Sequence, residues 1–183
     1  MHHLGPLLVV AGAGAGKTRV ITYRMKCLID NGVQPQQILA ITFTNKAARE
    51  MRERVEKIIE GGRLPVVGTF HSLGSMICRE QARSLNRTKY FTILDRDESI
   101  SLVKQAMREL SIDEKRFEPR KILGAISRAK GDCLSLADYK EDVGNEFYPK
   151  LVAQVWEKYK VGVEKARAFD FDDLLLETVK LLK

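Results

Sequence analysis

The sequence predicts an α/β fold, a parallel sheet with helices on both faces, followed by an all-helical part. Three observations support this prediction. Short apolar runs alternate with amphipathic segments over the first half of the 183 residues, which is the β-α-β-α-β-α pattern of a parallel sheet. Each of the first three apolar runs ends in a stretch of distinctive composition, as ligand-binding loops at the carboxyl ends of strands do. Beyond Tyr90 the alternation stops and helical periodicity dominates.

The predicted elements of the first half are delimited by glycine-containing turns. The strands are expected at Leu7–Val10, Ile38–Phe43 and Val66–Phe70, and the helices at about Lys17–Asp30, Asn45–Glu60 and His71–Ser84. In the second half, FTILD is at most one short strand. The helices there are expected at Asp97–Leu110, Pro119–Ala129, about Glu146–Ala166 and from Asp170 onward, with a capping box at Ser135–Asp138.

Composition and charge narrow the class of protein. Hydrophobic residues make up 44% and charged residues 30% of the chain, which suits a globular domain. No segment approaches the roughly 20 apolar residues of a membrane span, and the amino terminus lacks the features of a signal peptide. Cys27, Cys78 and Cys133 are far apart and form no Cys-x-x-Cys pair. We therefore expect a cytoplasmic protein with isolated thiols.

The net charge of +7 is unevenly distributed. Between Phe43 and Tyr90 there are ten Lys or Arg residues against five Asp or Glu residues. The remainder of the chain carries 21 basic residues against 19 acidic ones. A basic segment of this kind favours a polyanionic partner, of which nucleic acid is the common example.

The stretch Ala11–Thr18, AGAGAGKT, follows the first predicted strand and opens the first predicted helix. It ends as a phosphate-binding P-loop does, with Ala11 in the place of the pattern's first glycine. Its three glycines allow backbone N–H groups to curl around phosphate oxygens, and the positive end of the helix faces the same oxygens. We expect Lys17 to reach the β- and γ-phosphates and the Thr18 hydroxyl to bind Mg²⁺.

Polar residues follow the next two predicted strands. The hydroxyl, amide and free N–H groups of Thr44–Lys46 lie at a strand-to-helix junction, where they can hold a nucleic-acid phosphate. Phe43 and Phe70 end the two strands and are either core aromatics or stacking platforms for unpaired bases. His71 makes either a phosphate contact or a structural hydrogen bond.

Two other groups have plainer explanations. The carboxylates of Asp170, Asp172 and Asp173 are possible metal ligands. Negative charges in the first turn of a helix are also stabilised by the positive end of the helix dipole, so capping is the expected role. Trp156 and Tyr159 are three residues apart on a predicted helix and are expected in the core.

Six stretches, taken in order, resemble the amino-terminal part of UvrD/Rep/PcrA-type superfamily-one DNA helicases. They are GPLLVVAGAGAGKTRVITYR, ILAITFTNKAAREMRERV, GTFHSL, FTILD, ILGAISRAK and DFDDLLLETVKLL. The resemblance extends from about Gly5 to Lys183 and is far more specific than the P-loop alone. Alanine at position 11 is usual in that family.

The resemblance implies an ATP-driven motor that moves 3′ to 5′ along single-stranded DNA and unwinds the duplex ahead of it. It also implies a P-loop NTPase fold of the RecA-like type. Residues 1–90 would form an incomplete RecA-like ATP-binding part, called 1A. Residues 91–168 would form a helical subdomain that contacts DNA, called 1B, and residues 169–183 a helix that returns to 1A.

The same resemblance implies ATP and Mg²⁺ as cofactors, Lys17 and Thr18 as catalytic residues, and Thr18 as the Mg²⁺ ligand. The implied nucleotide-binding residues are Ala11, Gly12, Ala13, Gly14, Ala15, Gly16, Lys17, Thr18 and Arg19, with Arg19 near the adenine. The implied DNA-binding residues are Phe43, Thr44, Asn45, Lys46, Thr69, Phe70, His71 and Ser72. The expected partners are single-stranded DNA, duplex junctions and the remaining helicase domains, with no membrane.

Several parts of the family pattern fall outside these 183 residues. They are a glutamine that recognises adenine, an Asp-Glu motif that completes the magnesium site, and a second RecA-like domain with arginine fingers. Phosphoryl transfer depends on all of these parts. We therefore expect a fragment of a longer enzyme that alone binds nucleotide weakly and hydrolyses it poorly.

Two alternative functions are weighed against the helicase. One is a nucleic-acid-binding module whose P-loop is structural and does not support hydrolysis. The other is a small-molecule kinase or nucleotide switch. That class requires a second substrate pocket and a lid, whereas the sequence offers a basic track with Thr, Asn, Lys, Phe and His.

Overall fold

A computed structural model describes residues 5–59, 62–144 and 146–183. The helices within these ranges are α1 (Lys17–Asp30), α2 (Asn45–Ile58), α3 (Phe70–Glu80), α4 (Arg96–Glu109), α5 (Pro119–Gly131), α6 (Leu136–Asp142), α7 (Phe147–Lys165) and α8 (Phe171–Leu181). The strands are β1 (Leu39–Thr42), β2 (Val66–Thr69), β3 (Thr92–Ile93) and β4 (Ala168–Phe169). No helix in this part of the chain has both the length and the apolar character needed to cross a membrane.

The chain divides into two compact units, the first ending at Leu73 and the second beginning at Gly74. In the first unit β1 and β2 form a parallel pair in which Thr42 lies opposite Thr69. Helix α2 packs against both strands and against α1. It is amphipathic, and the side chains of its inner face are buried. The core of this unit consists of Met25, Ile38, Ala40, Met51, Val55 and Val67.

The strand predicted at Leu7–Val10 is wrong. Leu8 and Val10 are each 87% exposed, and the segment has no strand pairing. A strand is stabilised by hydrogen bonds to a neighbour, and within the described residues β1 and β2 pair only with each other. The sheet of this unit therefore has two strands rather than three, and a RecA-like sheet with helices on both faces is not confirmed.

The helices of the first unit agree with their predicted positions. Helix α1 has the predicted bounds, and α2 begins immediately after Thr44. The predicted end of α2 at Glu60 lies outside the described residues. Helix α3 ends at Glu80, before the predicted Ser84, and its last turn is followed by hydrogen-bonded turns.

The second unit is mainly helical, as predicted. Helices α4, α5 and α7 pack around one core, with α6 against α7 and α8 against α5. The fully buried side chains of this core include Val103, Met107, Ile122, Ile126, Val152, Val155 and Tyr159. The predicted strand in FTILD is the two-residue β3, which pairs in parallel with β4. The sequence did not predict β4, because two residues carry no measurable periodicity.

Candidate nucleotide and nucleic-acid sites

The glycine-rich loop leads directly into α1, and two of its glycines have conformations that other residues avoid. Gly14 has φ of +75° and Gly16 has φ of +83°. In the left-handed region a Cβ atom crowds the following carbonyl, so glycine is the residue that adopts it without strain. Apart from the adjoining residues, no atom of the described part of the chain lies within 4 Å of the position that a Cβ would take at Gly12 or Gly14. The space beside these two glycines is therefore open.

Lys17 bonds the loop from which α1 begins. Its Nζ donates to the carbonyl oxygens of Ala11 at 2.8 Å and Gly12 at 2.7 Å. The ammonium group is thus held at the start of the loop, and it remains exposed. Because only carbonyl oxygens accept from it, its positive charge is not neutralised by an ion pair within the described residues.

The start of α1 is favourable for an anion. Its first turn contains no acidic residue, and no side chain caps it. Neither a carboxylate of this turn nor a capping side chain therefore offsets the N–H groups and the positive end of the helix dipole. The half-buried Thr18 lies in this turn, and its hydroxyl has no hydrogen-bond partner among the described residues.

A cavity of about 760 Å³ extends from the glycine-rich loop along α1. Its lining includes Gly14, Gly16, Arg19, Tyr23 and Cys27. The guanidinium of Arg19 lies 5.5 Å from the centroid of the Tyr23 ring, in a cation–π contact. The cavity is within the size range of small-ligand sites, and it offers a flat cationic group beside an aromatic ring.

The second group of predicted residues lies where β1 and β2 end. The strands end at the same level, so the residues after them, Phe43 and Phe70, come together with ring centroids 5.7 Å apart. Phe43 is 90% exposed and Phe70 is 45% exposed. The alternative that they are core aromatics is therefore wrong. We call this pair of rings the phenylalanine pair.

Thr44 has the N-cap position of α2. Its side-chain oxygen accepts a hydrogen bond from the N–H of Ala47 at 3.1 Å. Asn45 and Lys46 follow in the first turn, where they are exposed and no acidic residue is present. Lys46 forms no ion pair with any described residue. The turn beside Phe43 thus presents a helix amino terminus, an amide and an uncompensated ammonium group.

Thr69 and Ser72 bond to each other across the start of α3. The Thr69 N–H donates to Ser72 Oγ at 2.7 Å, and the Ser72 N–H donates to Thr69 Oγ1 at 3.2 Å. Ser72 Oγ also donates to the Thr69 carbonyl at 2.8 Å. This reciprocal arrangement resembles a capping box and lets β2 pass into α3 with no intervening loop. His71 lies half-buried in the same turn.

Three residues that shape this region were not identified from the sequence. Gly68 has no room for a side chain, because a Cβ there would lie 2.5 Å from Ser72 Oγ. Arg52 donates from α2 to the carbonyl of Val67 on β2 at 2.6 Å. Thr42 joins the two strand ends through its hydroxyl. A threonine within a strand and an arginine on a charged helix carry no sequence signal of such contacts.

In the second unit a lysine and two aspartates form a buried cluster. Lys130 Nζ lies 2.6 Å from Asp170 Oδ2 and 2.7 Å from Asp173 Oδ1. The Tyr159 hydroxyl donates to Asp170 Oδ2 at 2.7 Å. Asp170 also caps α8 by accepting from the Asp173 N–H at 2.7 Å. The predicted capping role is therefore confirmed for Asp170 and Asp173, as is the prediction that Tyr159 is in the core.

The pKa values of this cluster differ from those of exposed groups. Burial raises the pKa of Asp173 to about 6, although Lys130 opposes the shift. Burial also favours the neutral form of Asp170, but Lys130 and the hydrogen bonds outweigh it and lower that pKa. Burial would lower the pKa of Lys130, yet the two carboxylates together raise it. Asp170 and Lys130 are thus the stably charged pair.

Comparison with known proteins identifies relatives of the whole chain. The family profile described as the UvrD/REP helicase N-terminal domain matches residues 1–183. The chain is 42% identical over 182 residues to a Staphylococcus aureus protein named ATP-dependent DNA helicase PcrA, and 43% identical over 182 residues to the protein of that name from Leuconostoc citreum. These alignments cover 98% of this chain but 25% and 24% of the two relatives. The chain therefore spans about a quarter of the length of the curated relatives that it matches.

Proposed function

Since the chain belongs to the UvrD/REP helicase N-terminal domain family, we propose that it is the ATP-binding amino-terminal part of an ATP-dependent DNA helicase. In this proposal the glycine-rich loop and the start of α1 hold ATP with Mg²⁺, and the phenylalanine pair with its neighbours holds single-stranded DNA. The motor moves 3′ to 5′ and acts at duplex junctions, as the family resemblance implies. One observation carries the proposal. The first turn of α1 has no acidic residue and no side-chain cap among the described residues, and it follows a glycine-rich loop with open space beside Gly12 and Gly14.

The residues of the loop fit a triphosphate. Gly12, Gly14 and Gly16 leave room for phosphate oxygens against the backbone, since a Cβ at the first two would project into open space. Lys17 exchanges its two carbonyl acceptors for the β- and γ-phosphates when nucleotide binds. Ala11, Ala13 and Ala15 supply the backbone between the glycines.

The remaining nucleotide contacts come from α1. The Thr18 hydroxyl is available to bind Mg²⁺, and Arg19 with Tyr23 forms a flat surface for the adenine. Bound ATP with Mg²⁺ supplies the phosphoryl group that is transferred to water. Lys17 and Thr18 are the catalytic residues of this chain, because they would contact the reacting phosphate and its metal ion.

The DNA site combines stacking and phosphate contacts. The exposed rings of Phe43 and Phe70 stack on unpaired bases, and Asn45 and Lys46 bind phosphate at the positive end of α2. Stacking requires an open ring face, which duplex DNA offers only at its ends, so single strands are the preferred ligand. Thr44, His71 and Ser72 complete the contact surface. Thr69 is only 6% exposed, so its contribution is to hold Ser72 at the start of α3.

The chain alone is expected to hydrolyse ATP poorly. Its curated relatives are about four times longer, and phosphoryl transfer needs positioned carboxylate and arginine groups in addition to a P-loop. The further partners in this proposal are the other helicase domains of a longer protein. Residues 1–90, 91–168 and 169–183 are then the first part of domain 1A, the DNA-contacting subdomain 1B and the returning helix.

A second candidate is a nucleic-acid-binding module with a non-hydrolytic P-loop. The bonds of Lys17 to the carbonyls of Ala11 and Gly12 favour it, because a structural lysine would make the same bonds. The two proposals differ in what Lys17→Ala does. In the helicase it abolishes ATP-dependent unwinding by the full-length protein and leaves DNA binding largely intact, whereas in the module it leaves unwinding unchanged.

Filter binding of the 183-residue chain to a labelled single-stranded oligonucleotide tests the DNA site. The affinity should fall steeply as salt concentration rises, because binding releases counterions from the phosphates. The double variant Phe43→Ala, Phe70→Ala should weaken binding by more than about tenfold, since each stacked base contributes on the order of 1–3 kcal/mol. No binding at low salt would overturn the proposal.

A further inference from the structure

The hydroxyl of Thr42 connects the two strand ends that carry the phenylalanine pair. Its Oγ1 lies 3.1 Å from the carbonyl oxygen of Thr44 and 3.4 Å from the carbonyl oxygen of Gly68. The first carbonyl follows β1 and the second belongs to β2. A single O–H donor is therefore shared between the segment that holds Phe43 and the strand that leads to Phe70.

The segment between β1 and α2 is only two residues long. It consists of Phe43 and Thr44, and the ring of Phe43 is 90% exposed. Thr44 uses its own hydroxyl to cap α2 at Ala47. The Thr44 carbonyl also accepts the N–H of Ala48 at 3.0 Å. The Thr42 hydroxyl is the side-chain donor that joins this carbonyl, one residue after Phe43, to β2.

We propose that Thr42 is a positioning residue for single-stranded DNA, and that it acts by holding Phe43 and Phe70 together as one stacking surface. In this proposal Thr42 itself does not contact the DNA. The inference rests on the proposed role of the phenylalanine pair in DNA binding. It follows from the place of one hydroxyl between two strand ends whose next residues have their rings 5.7 Å apart.

Pre-organisation explains why such a bond matters for affinity. An exposed ring that is free to reorient must lose that freedom when a base stacks on it, and this ordering weakens binding. A hydroxyl that already ties the residue after Phe43 to β2 removes part of this cost. The same bond contributes little to folding, because α2 has its own cap and the core of the unit lies elsewhere.

Thr42→Val and Thr42→Ser form a matched pair of variants. Valine keeps the shape and strand preference of threonine but has no hydroxyl, whereas serine keeps the hydroxyl. We measure affinity of the 183-residue chain for an oligonucleotide containing 2-aminopurine, whose fluorescence is quenched by stacking. Thr42→Val should bind about 3- to 10-fold more weakly, the usual effect of one lost hydrogen bond, with less quenching at saturation. Thr42→Ser should bind as the unaltered chain does.

A double-mutant cycle separates positioning from general loss of structure. If Thr42 acts through Phe43, the effect of Thr42→Val should disappear in a Phe43→Ala background. Thermal unfolding followed by circular dichroism should show both Thr42 variants folded, with transitions close to that of the unaltered chain. If valine leaves the chain unfolded, Thr42→Ala replaces Thr42→Val in the cycle with Phe43→Ala.

The outcomes distinguish the inference from the function on which it rests. Equal affinity and quenching for Thr42→Val and the unaltered chain would overturn the inference alone. An undiminished effect of Thr42→Val in the Phe43→Ala background would also overturn it. No binding by the unaltered chain would overturn the proposed DNA site and the inference together.

Discussion

Lys130 Nζ lies 2.6 Å from Asp170 Oδ2, and the two residues are only 5% and 4% exposed. Lys130 is near the end of α5, and Asp170 is the N-cap of α8. The pair therefore connects two helices of the second unit at the point where α8 begins. Removing charges from water is costly, and this pair is maintained because each charge is also hydrogen-bonded.

Lys130→Met should destabilise the second unit strongly. The substitution keeps the length of the side chain but leaves Asp170 and Asp173 buried without a cation. Loss of one partner of a buried pair typically costs about 3–5 kcal/mol in free energy of unfolding. Urea denaturation followed by the fluorescence of Trp156 measures it, because Trp156 is the single tryptophan and is buried in this unit.

Lys140→Met is the matched control for Lys130→Met. Lys140 forms an ion pair with Glu157 at 2.8 Å on the surface of the same unit, and both side chains are largely exposed. An exposed pair of this kind contributes little to stability, so this variant should unfold nearly as the unaltered chain does. Equal losses in the two variants would contradict the special role of the buried pair.

Stability of the second unit should depend on pH through Asp173. Its native pKa of about 6 is above the ordinary value of 3.8, so the native state binds this proton more tightly than the unfolded state does. The resulting stability is fully present below the ordinary value and is lost as pH rises through about 6. Asp170 has the opposite shift, so its contribution is present above the ordinary value of 3.8 and is lost as pH falls through its lowered pKa.

Asp173→Asn tests this pH dependence, because asparagine remains neutral where the native carboxyl ionises. Between about pH 4 and about pH 6.5 the unaltered chain should lose free energy of unfolding relative to the variant. Asp172→Asn removes a carboxylate of the same turn that does not contact Lys130. The free energy of unfolding of this variant should therefore change with pH in parallel with that of the unaltered chain. Parallel curves for Asp173→Asn would contradict the prediction.

The sequence predicted most helices because their signals are local. The bounds of α1, the start of α2 after Thr44 and the Ser135 capping box all depend on residues within one turn. The prediction of a strand at Leu7–Val10 was wrong, because a strand requires a neighbouring strand as partner and an apolar run does not specify one.

The candidate sites divide in the same way into local motifs and contacts between distant residues. The P-loop and the polar residues after β1 and β2 are contiguous motifs, so their positions could be found by inspection. Lys130 and Asp170 are 40 residues apart, and Thr42 and Gly68 are 26 apart. Contacts over such distances depend on packing, and a single sequence has no periodicity that reveals them.

Gly14→Ala should weaken both folding and nucleotide binding. Gly14 has φ of +75°, which costs an alanine on the order of 1–2 kcal/mol, although no atom would collide with its Cβ. Gly124→Ala is the control, since its Cβ also meets open space but its backbone is helical. That variant should gain about 0.5–1 kcal/mol. Denaturation followed by circular dichroism, with titration of a fluorescent ATP analogue, measures both effects.

Gly68→Ala should disturb the start of α3 through Ser72. The new Cβ would lie 2.5 Å from Ser72 Oγ, and that oxygen can move only by giving up its bonds to Thr69. The expected loss is about 1–2 kcal/mol, the value of one or two hydrogen bonds. Ser72→Ala loses the same bonds, so Gly68→Ala should cost less in that background than in the unaltered chain. Amide hydrogen exchange at Thr69 reports the bond directly, and additive effects of the two substitutions would show that the clash with Ser72 is not the cause.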